Sequence, residues 1–331
     1  MITLRAYRLG LRRVYQAQRY VYVVYAINLL IALALGIILS QDIQNSLGHS
    51  LSAEHLRQGF DDLWYKSFSS NASGIAKSFH PGVTGIGAIF SGLDGMLRGD
   101  FSMTQGMFGV AFLYWLLWIY LSAGFIGMFY NGSFDNVFGT HFFAEAGRFF
   151  LRFLMLAVFA AAFYALIIYG VLPLLSKWIT AMNRNTIDER IVFKHTVIKY
   201  GVIWTLIFFV NLVFDYSKVI IIAEDVKKED ILRSPLLALK FIAQSPLKAA
   251  LLYLLSGLTG FVLLLFYWLI APGAWQASWF TIIFAFLLGQ IYIIGRIAVR
   301  CLFYGGETAL YYLETALPQG DLRRLPESVN K

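Results

Sequence analysis

The sequence predicts an all-α fold, a polytopic integral membrane bundle of six transmembrane helices with amphipathic interfacial helices. Three observations predict it. Hydrophobic residues make up 59% and charged residues 14% of the 331-residue chain, against about 45–50% and about 25% in soluble proteins. Five stretches, 20–40, 107–130, 153–176, 249–271 and 274–295, run for 21 to 24 residues without a charge, and roughly 20 apolar residues cross about 30 Å of hydrocarbon. These stretches lack period-two alternation and exceed the length of a barrel strand, so the helix is the fold that satisfies their backbone in lipid. Residues 1–331 read as a single membrane domain.

The first span follows a basic region, Arg5, Arg8, Arg12, Arg13 and Arg19. Its 21-residue apolar core is longer than a signal-peptide core and no small-x-small site follows it, which predicts an uncleaved anchor. The fourth span, about 199–223, differs from the rest. Only 15 uncharged residues separate Lys199 from Asp215, and the apolar run resumes from Val219 to Ala223, which puts Asp215 and Lys218 at or inside the membrane boundary. Ionisable residues at such depth are costly and mark functional candidates. Two readings follow. In the first, Lys199 and Lys218 reach outward to the interfaces and Asp215 lies at the inner boundary with Lys218 or Arg296 as partner. In the second, the helix continues to Ala223 and the pair belongs to a proton or ion path. The first is favoured, because the spans offer few other polar members, mainly Asn28, Asn211 and Gln290. Asp215, Lys218 and Arg296 form the candidate charge cluster at the membrane boundary.

Orientation follows from the positive residues, which remain cytoplasmic. With both termini inside, the inner segments, among them a cytoplasmic tail 296–331, hold 17 Lys or Arg and the outer ones hold nine. The segment 176–199 runs against this balance, with Lys177, Arg184, Arg190, Lys194 and Lys199 on the outer side. Trp178, Trp268, Trp275 and Trp279 fall near the outer interface, as aromatic anchors do.

In the outer segment 41–106, Ser52 is placed to cap a helix with apolar positions Ala53, Leu56, Phe60, Leu63 and Trp64. A second amphipathic helix follows Pro81, and 82–99 lies on the interface or re-enters the membrane. Inside, Ser234-Pro235 and Ser245-Pro246 predict a short helix from Pro235 to about Ala243 ahead of the fifth span. The stretch 142–152, apolar and basic, leads into the third span. Ala157, Ala161 and Ala165 give the third span a small-residue stripe at four-residue spacing, which predicts close helix packing and a central place for this span. Ala123 with Gly127 and Ser256 with Gly260 repeat the spacing once each.

No phosphate-binding glycine loop, His-Glu-x-x-His, paired-cysteine motif or Gly-x-Ser-x-Gly occurs. Five histidines lie outside the uncharged spans without metal-site spacing, and Cys301 is alone. The expected protein has no catalytic residue, metal or cofactor, and structural lipids accompany it. The net charge of +8 flanks the spans instead of forming a stripe, which argues for topology and anionic headgroups and against nucleic acid.

The run Phe214-Asp215-Tyr216-Ser217-Lys218 closes a span, and a link ending at Ser245-Pro246 leads into Leu247-Lys248-Ala249-Ala250-Leu251-Leu252-Tyr253. With Gly59-Phe60-Asp61-Asp62-Leu63-Trp64 and Leu121-Ser122-Ala123-Gly124-Phe125-Ile126, this pattern resembles a type of uncharacterised bacterial six-span inner-membrane protein. It is also loosely similar to the membrane domain attached to some glycerophosphodiester phosphodiesterases. The resemblance covers most of the chain and implies a bacterial inner-membrane location. It carries over no functional residue and no phosphodiesterase activity. The expected function is that of a non-catalytic accessory or organising subunit with protein partners in a membrane assembly. The alternative is a transporter or channel for a lipid-like or small apolar substrate.

Overall fold

A computed structural model describes residues 2–48, 50–58, 61–79, 105–134, 140–271 and 278–316, and every regular element among them is helical. In chain order these are α1 (Ile2–Gln16), α2 (Gln18–Leu47), α3 (Ser52–Gln58), α4 (Asp62–Asn71), α5 (Gln105–Asn131), α6 (Thr140–Ala165), α7 (Leu172–Asn183), α8 (Glu189–Ala223), α9 (Ser234–Gln244), α10 (Pro246–Ile270) and α11 (Trp279–Ala316). Six helical rods among the described residues are long and apolar enough to cross a membrane: α2, α5, α6 continued through α7, α8, α10 and α11.

The rods run past the uncharged stretches that announce them. Thr140–Asn183 is a single 44-residue rod and α8 has 35 residues, or about 66 Å and about 52 Å, against a hydrocarbon layer of about 30 Å. The expected outer loop 176–199 is therefore mostly helix, with Lys177 on α7, Arg190, Lys194 and Lys199 on α8, and only 184–188 connecting them. Likewise α11 continues through Arg296 and Arg300 to Ala316, so 296–316 is packed helix and not a tail; 317–331 lies outside the described residues. Lysine and arginine end a hydropathy run without ending a helix, because both are good helix formers. Helices begin and stop at caps instead: the Arg190 N–H donates to the Asp188 carboxylate at 2.9 Å where α8 begins. A wide π-helical turn, Leu166–Val171, joins α6 to α7. It lies just ahead of Pro173, which has no N–H for the Tyr169 carbonyl.

The chain divides into two compact units. One comprises Gln18–Trp115 and Thr259–Val299. In it Trp64, Phe68 and Ala76 are buried, with Leu39, Ile43 and Leu47 of α2 packed against them. The single amphipathic helix expected over 53–64 is two helices here. The Asp61 carboxylate accepts the N–H groups of Leu63 and Trp64 at 3.0 Å and starts α4 afresh. The bond from Trp64 holds that carboxyl below its usual range, and Leu63 is exposed. The helix expected after Pro81, with 82–99, lies outside the described residues. In the same unit Gly260 of α10 meets Val299, Gly295 of α11 meets Leu263, and Tyr267 stacks on Tyr292 at 4.5 Å.

The other unit comprises Met1–Ala17, Leu116–Leu258 and Arg300–Lys331. Its centre is the second span together with the end of the fourth, where Leu121, Ala123, Phe125, Ile126, Phe129, Tyr216, Val219 and Ile221 are buried. The third span, expected to be central, packs through Phe149, Phe153, Leu156 and Ala160. Ala157 beside them is half-buried, and Ala161 and Ala165 are exposed. Close approach occurs instead at glycines of α5. A Cβ at Gly124 would lie 2.8 Å from the Phe142 ring, and one at Gly127 would lie 2.8 Å from the Glu145 Cβ. The short helix expected before the fifth span is α9, and the Ser234 hydroxyl donates back to the Ile231 carbonyl at 2.7 Å.

α8 ends in a Schellman turn, in which Val226 N–H donates to Ile221 O at 3.1 Å and Asp225 N–H to Ile222 O at 3.4 Å. Asp225 at φ 45° holds the left-handed position that usually goes to glycine, the one positive-φ non-glycine among the described residues. Its carboxylate accepts from Arg152 at 2.6 Å and Arg148 at 2.8 Å, which ties α6 to α8 and holds the carboxyl below the usual carboxylate range. A lowered folded-state value means that this tie stabilises above the unfolded value near 4 and is lost as pH falls through the folded one. In thermal unfolding in detergent, Asp225→Gly should stay within about 1 kcal/mol of wild type, since relief of the left-handed cost offsets two exposed ion pairs. Asp225→Ala, which keeps the cost and loses the pairs, should fall about 1–2 kcal/mol below the glycine variant.

α1 docks on α11 backbone to backbone. A Cβ at Gly10 would lie 2.9 Å from the Gly306 nitrogen. Beside it Arg13 Nη1 donates to the Gly305 carbonyl at 3.0 Å, and burial pulls this guanidinium down to about 10, still a cation at neutral pH. Gly10→Leu should undock α1 and speed tryptic cleavage at Arg12 or Arg13. Gly36→Leu, at a position with nothing within 4 Å, should leave cleavage unchanged.

Candidate functional site

A polar cluster forms where the end of α8 meets the 300–316 part of α11, within one of the two units. α8 continues through Asp215 and Lys218 to Ala223 without interruption, as the second of the two sequence readings requires. One helical turn apart, Lys218 Nζ donates to Asp215 Oδ1 at 2.7 Å. The same ammonium lies 5.9 Å from the Tyr304 ring centroid of α11. Tyr304 OH accepts from Arg300 Nε at 3.2 Å, and the Arg300 guanidinium lies 3.8 Å from the centroid of the Trp118 ring. Arg296, the third member of the expected cluster, sits at an exposed position of α11 in the other unit. The recorded partner of Asp215 is Lys218.

Glu307 is the residue that sequence reasoning missed. It is 1% exposed, and among the described residues neither of its carboxylate oxygens has a hydrogen-bond partner. The charges of Asp215 and Lys218 act on it, and its own acts on Tyr216 of α8 and Tyr253 of α10. Tyr216 is fully buried, and its hydroxyl, like that of Ser256 on α10, has no partner among the described residues. The buried hydroxyls of Ser217 and Thr308 are by contrast occupied by the carbonyls of Val213 and Tyr304. A signal in the sequence did exist. Arg300, Glu307 and Glu314 recur every seven residues, and so on one helical face, in a run that is otherwise free of charge from Ile297 to Gly320. Taking 296–331 as a tail hid it.

Asn28, Asn211 and Gln290, the main polar members that the sequence offered in the spans, are each engaged elsewhere. Asn28 donates to the Val24 carbonyl at 2.8 Å, Gln290 accepts from Tyr25 at 3.0 Å, and Asn211 accepts from Tyr164. Cys301 is buried and free. No group of three His, Cys, Asp or Glu among the described residues is placed to hold a metal ion. The chemistry open to this site is thus that of a buried, unpartnered carboxyl within the electrostatic reach of an internally neutralised ion pair. It can exchange a proton or attract a single positive charge.

No protein family, no curated protein and no solved structure matches this chain. The fold alone defines the class: the described residues are helical wherever they are regular, and six of the helices are long and apolar enough to cross a membrane.

Removing one member of the Asp215–Lys218 pair leaves the other charge uncompensated. The two side chains are 17% and 24% exposed, so the loss should fall below that of a fully buried pair. Lys218→Met should cost about 2 kcal/mol in thermal unfolding. Adding Asp215→Asn to it should restore at least about half of that loss, which a double-mutant cycle measures.

Proposed function

We propose that this chain is a non-catalytic integral protein of the bacterial inner membrane, an accessory or organising subunit of a larger membrane assembly. The observation that supports this reading most directly is small-residue surface that the chain does not use. Ala161 and Ala165 are exposed, and a Cβ at Gly36, Gly109, Gly201 or Gly289 would meet nothing within 4 Å among the described residues. Glycine inside a helix costs about 1 kcal/mol relative to alanine, and small residues in membrane helices are where a second helix approaches closely. Membrane lipids cover the remaining apolar faces. Both termini are cytoplasmic in this reading. The packing of α1 on the end of α11 supports their lying on one side, as an even number of spans requires, and the 17 against nine count of basic residues assigns the side.

A second reading, transport of a small or lipid-like substrate, is favoured by Glu307 beside Asp215 and Lys218 in spanning helices. Mild solubilisation followed by native mass measurement separates the two. A stoichiometric partner, lost in the Ala161→Leu/Ala165→Leu double variant, is the expected result. A lone monomer whose mass and lipid complement the double variant leaves unchanged sinks the subunit reading.

A further inference from the structure

Charge bookkeeping around Glu307 leaves one negative charge with no counterpart. Asp215 and Lys218 satisfy each other at 2.7 Å. Arg300 is committed to Tyr304 and to the face of Trp118, and Arg13 of α1 to the Gly305 carbonyl. Glu314 on the same helix is paired with Lys248 at 2.9 Å. The titratable groups of α8 and α10 within reach of its charge are the phenols of Tyr216 and Tyr253; on α9 the Phe241 ring packs against Tyr216 and Lys240 is exposed. A carboxylate without a hydrogen-bond donor in a low-dielectric interior carries a penalty that a protein removes by neutralising or pairing the group. Glu307 lies in such an interior, 1% exposed, and Gly306 just before it is pressed between Gly10 of α1 and Leu252 of α10.

We propose that Glu307, buried with neither carboxylate oxygen hydrogen-bonded among the described residues, is a proton-exchange site, a carboxyl group that takes up and releases one proton inside the helical bundle. A proton fits better than a metal ion, because no third acidic or imidazole ligand is at hand and the Lys218 ammonium acts on the same carboxyl. The step is an acid–base one: the carboxylate gains a proton and becomes neutral, and returns it when the surrounding pH rises. This inference goes beyond the subunit reading and holds equally for a transporter.

The test uses the full chain in liposomes. Infrared difference spectra between wild type and Glu307→Gln, from about pH 5 to about pH 9, should show a protonated-carboxyl C=O band that belongs to Glu307 and declines as pH rises. The apolar reagent dicyclohexylcarbodiimide, which reacts with protonated carboxyls, should label Glu307 in wild type and leave the ion-paired Asp215 and Glu314 unlabelled, with labelling falling at least about tenfold across the same titration. If Glu307→Gln does not fold, the wild-type labelling series decides alone. Overturning results are a missing band with no label at any pH, labelling independent of pH, or protection by Na+ at fixed pH, which would make the site one for a metal cation.

Discussion

The backbone contact between α1 and α11 is what the polar end of this molecule depends on. Gly10 and Gly306 let two helices touch main chain to main chain, Arg13 adds a bond to the Gly305 carbonyl, and Leu252 closes over Gly306 from α10. Three helices therefore meet at two residues without side chains, and the next residue along α11 is Glu307. Glu307 follows directly on this contact and is 1% exposed.

Around that point the unit is held by polar ties between helix ends. Asp225 bridges to Arg148 and Arg152, Tyr311 donates to Glu224 at 3.0 Å, Tyr130 donates to the Ala223 carbonyl at 3.4 Å, and Lys248 pairs with Glu314. Each tie is exposed or partly exposed and worth little alone. Together they fix where α5, α6, α8, α10 and α11 end, while apolar packing at Gly124 and Gly127 fixes how closely α5 and α6 run.

Six helices were legible because lipid demands long uncharged stretches and composition records them. Their ends were not. Lys177, Lys194, Arg296 and Arg300 stop a hydropathy count yet continue a helix, and that single error turned a packed segment with a buried carboxylate into a tail. The Asp215–Lys218 pair was readable from its i, i+3 spacing. The alanine stripe was readable as a pattern but not as a contact. The packing face of α6 lies one position away, through Phe153, Leu156 and Ala160, because large side chains filling a groove outweigh the spacing of small ones. Asp61 was visible as an acidic residue, whereas its role as a cap needed the backbone of Leu63 and Trp64.

The wide turn ahead of Pro173 has a geometric effect on everything beyond it. An additional residue in one turn advances the phase of the helix by about 100°, so α7 does not continue the faces that α6 began. The rod is continuous in its axis and discontinuous in its azimuth. Trp178 and Met182, both exposed on α7, are thus aimed independently of the face that holds Phe153 and Leu156, and a single rod presents two differently directed surfaces along its length.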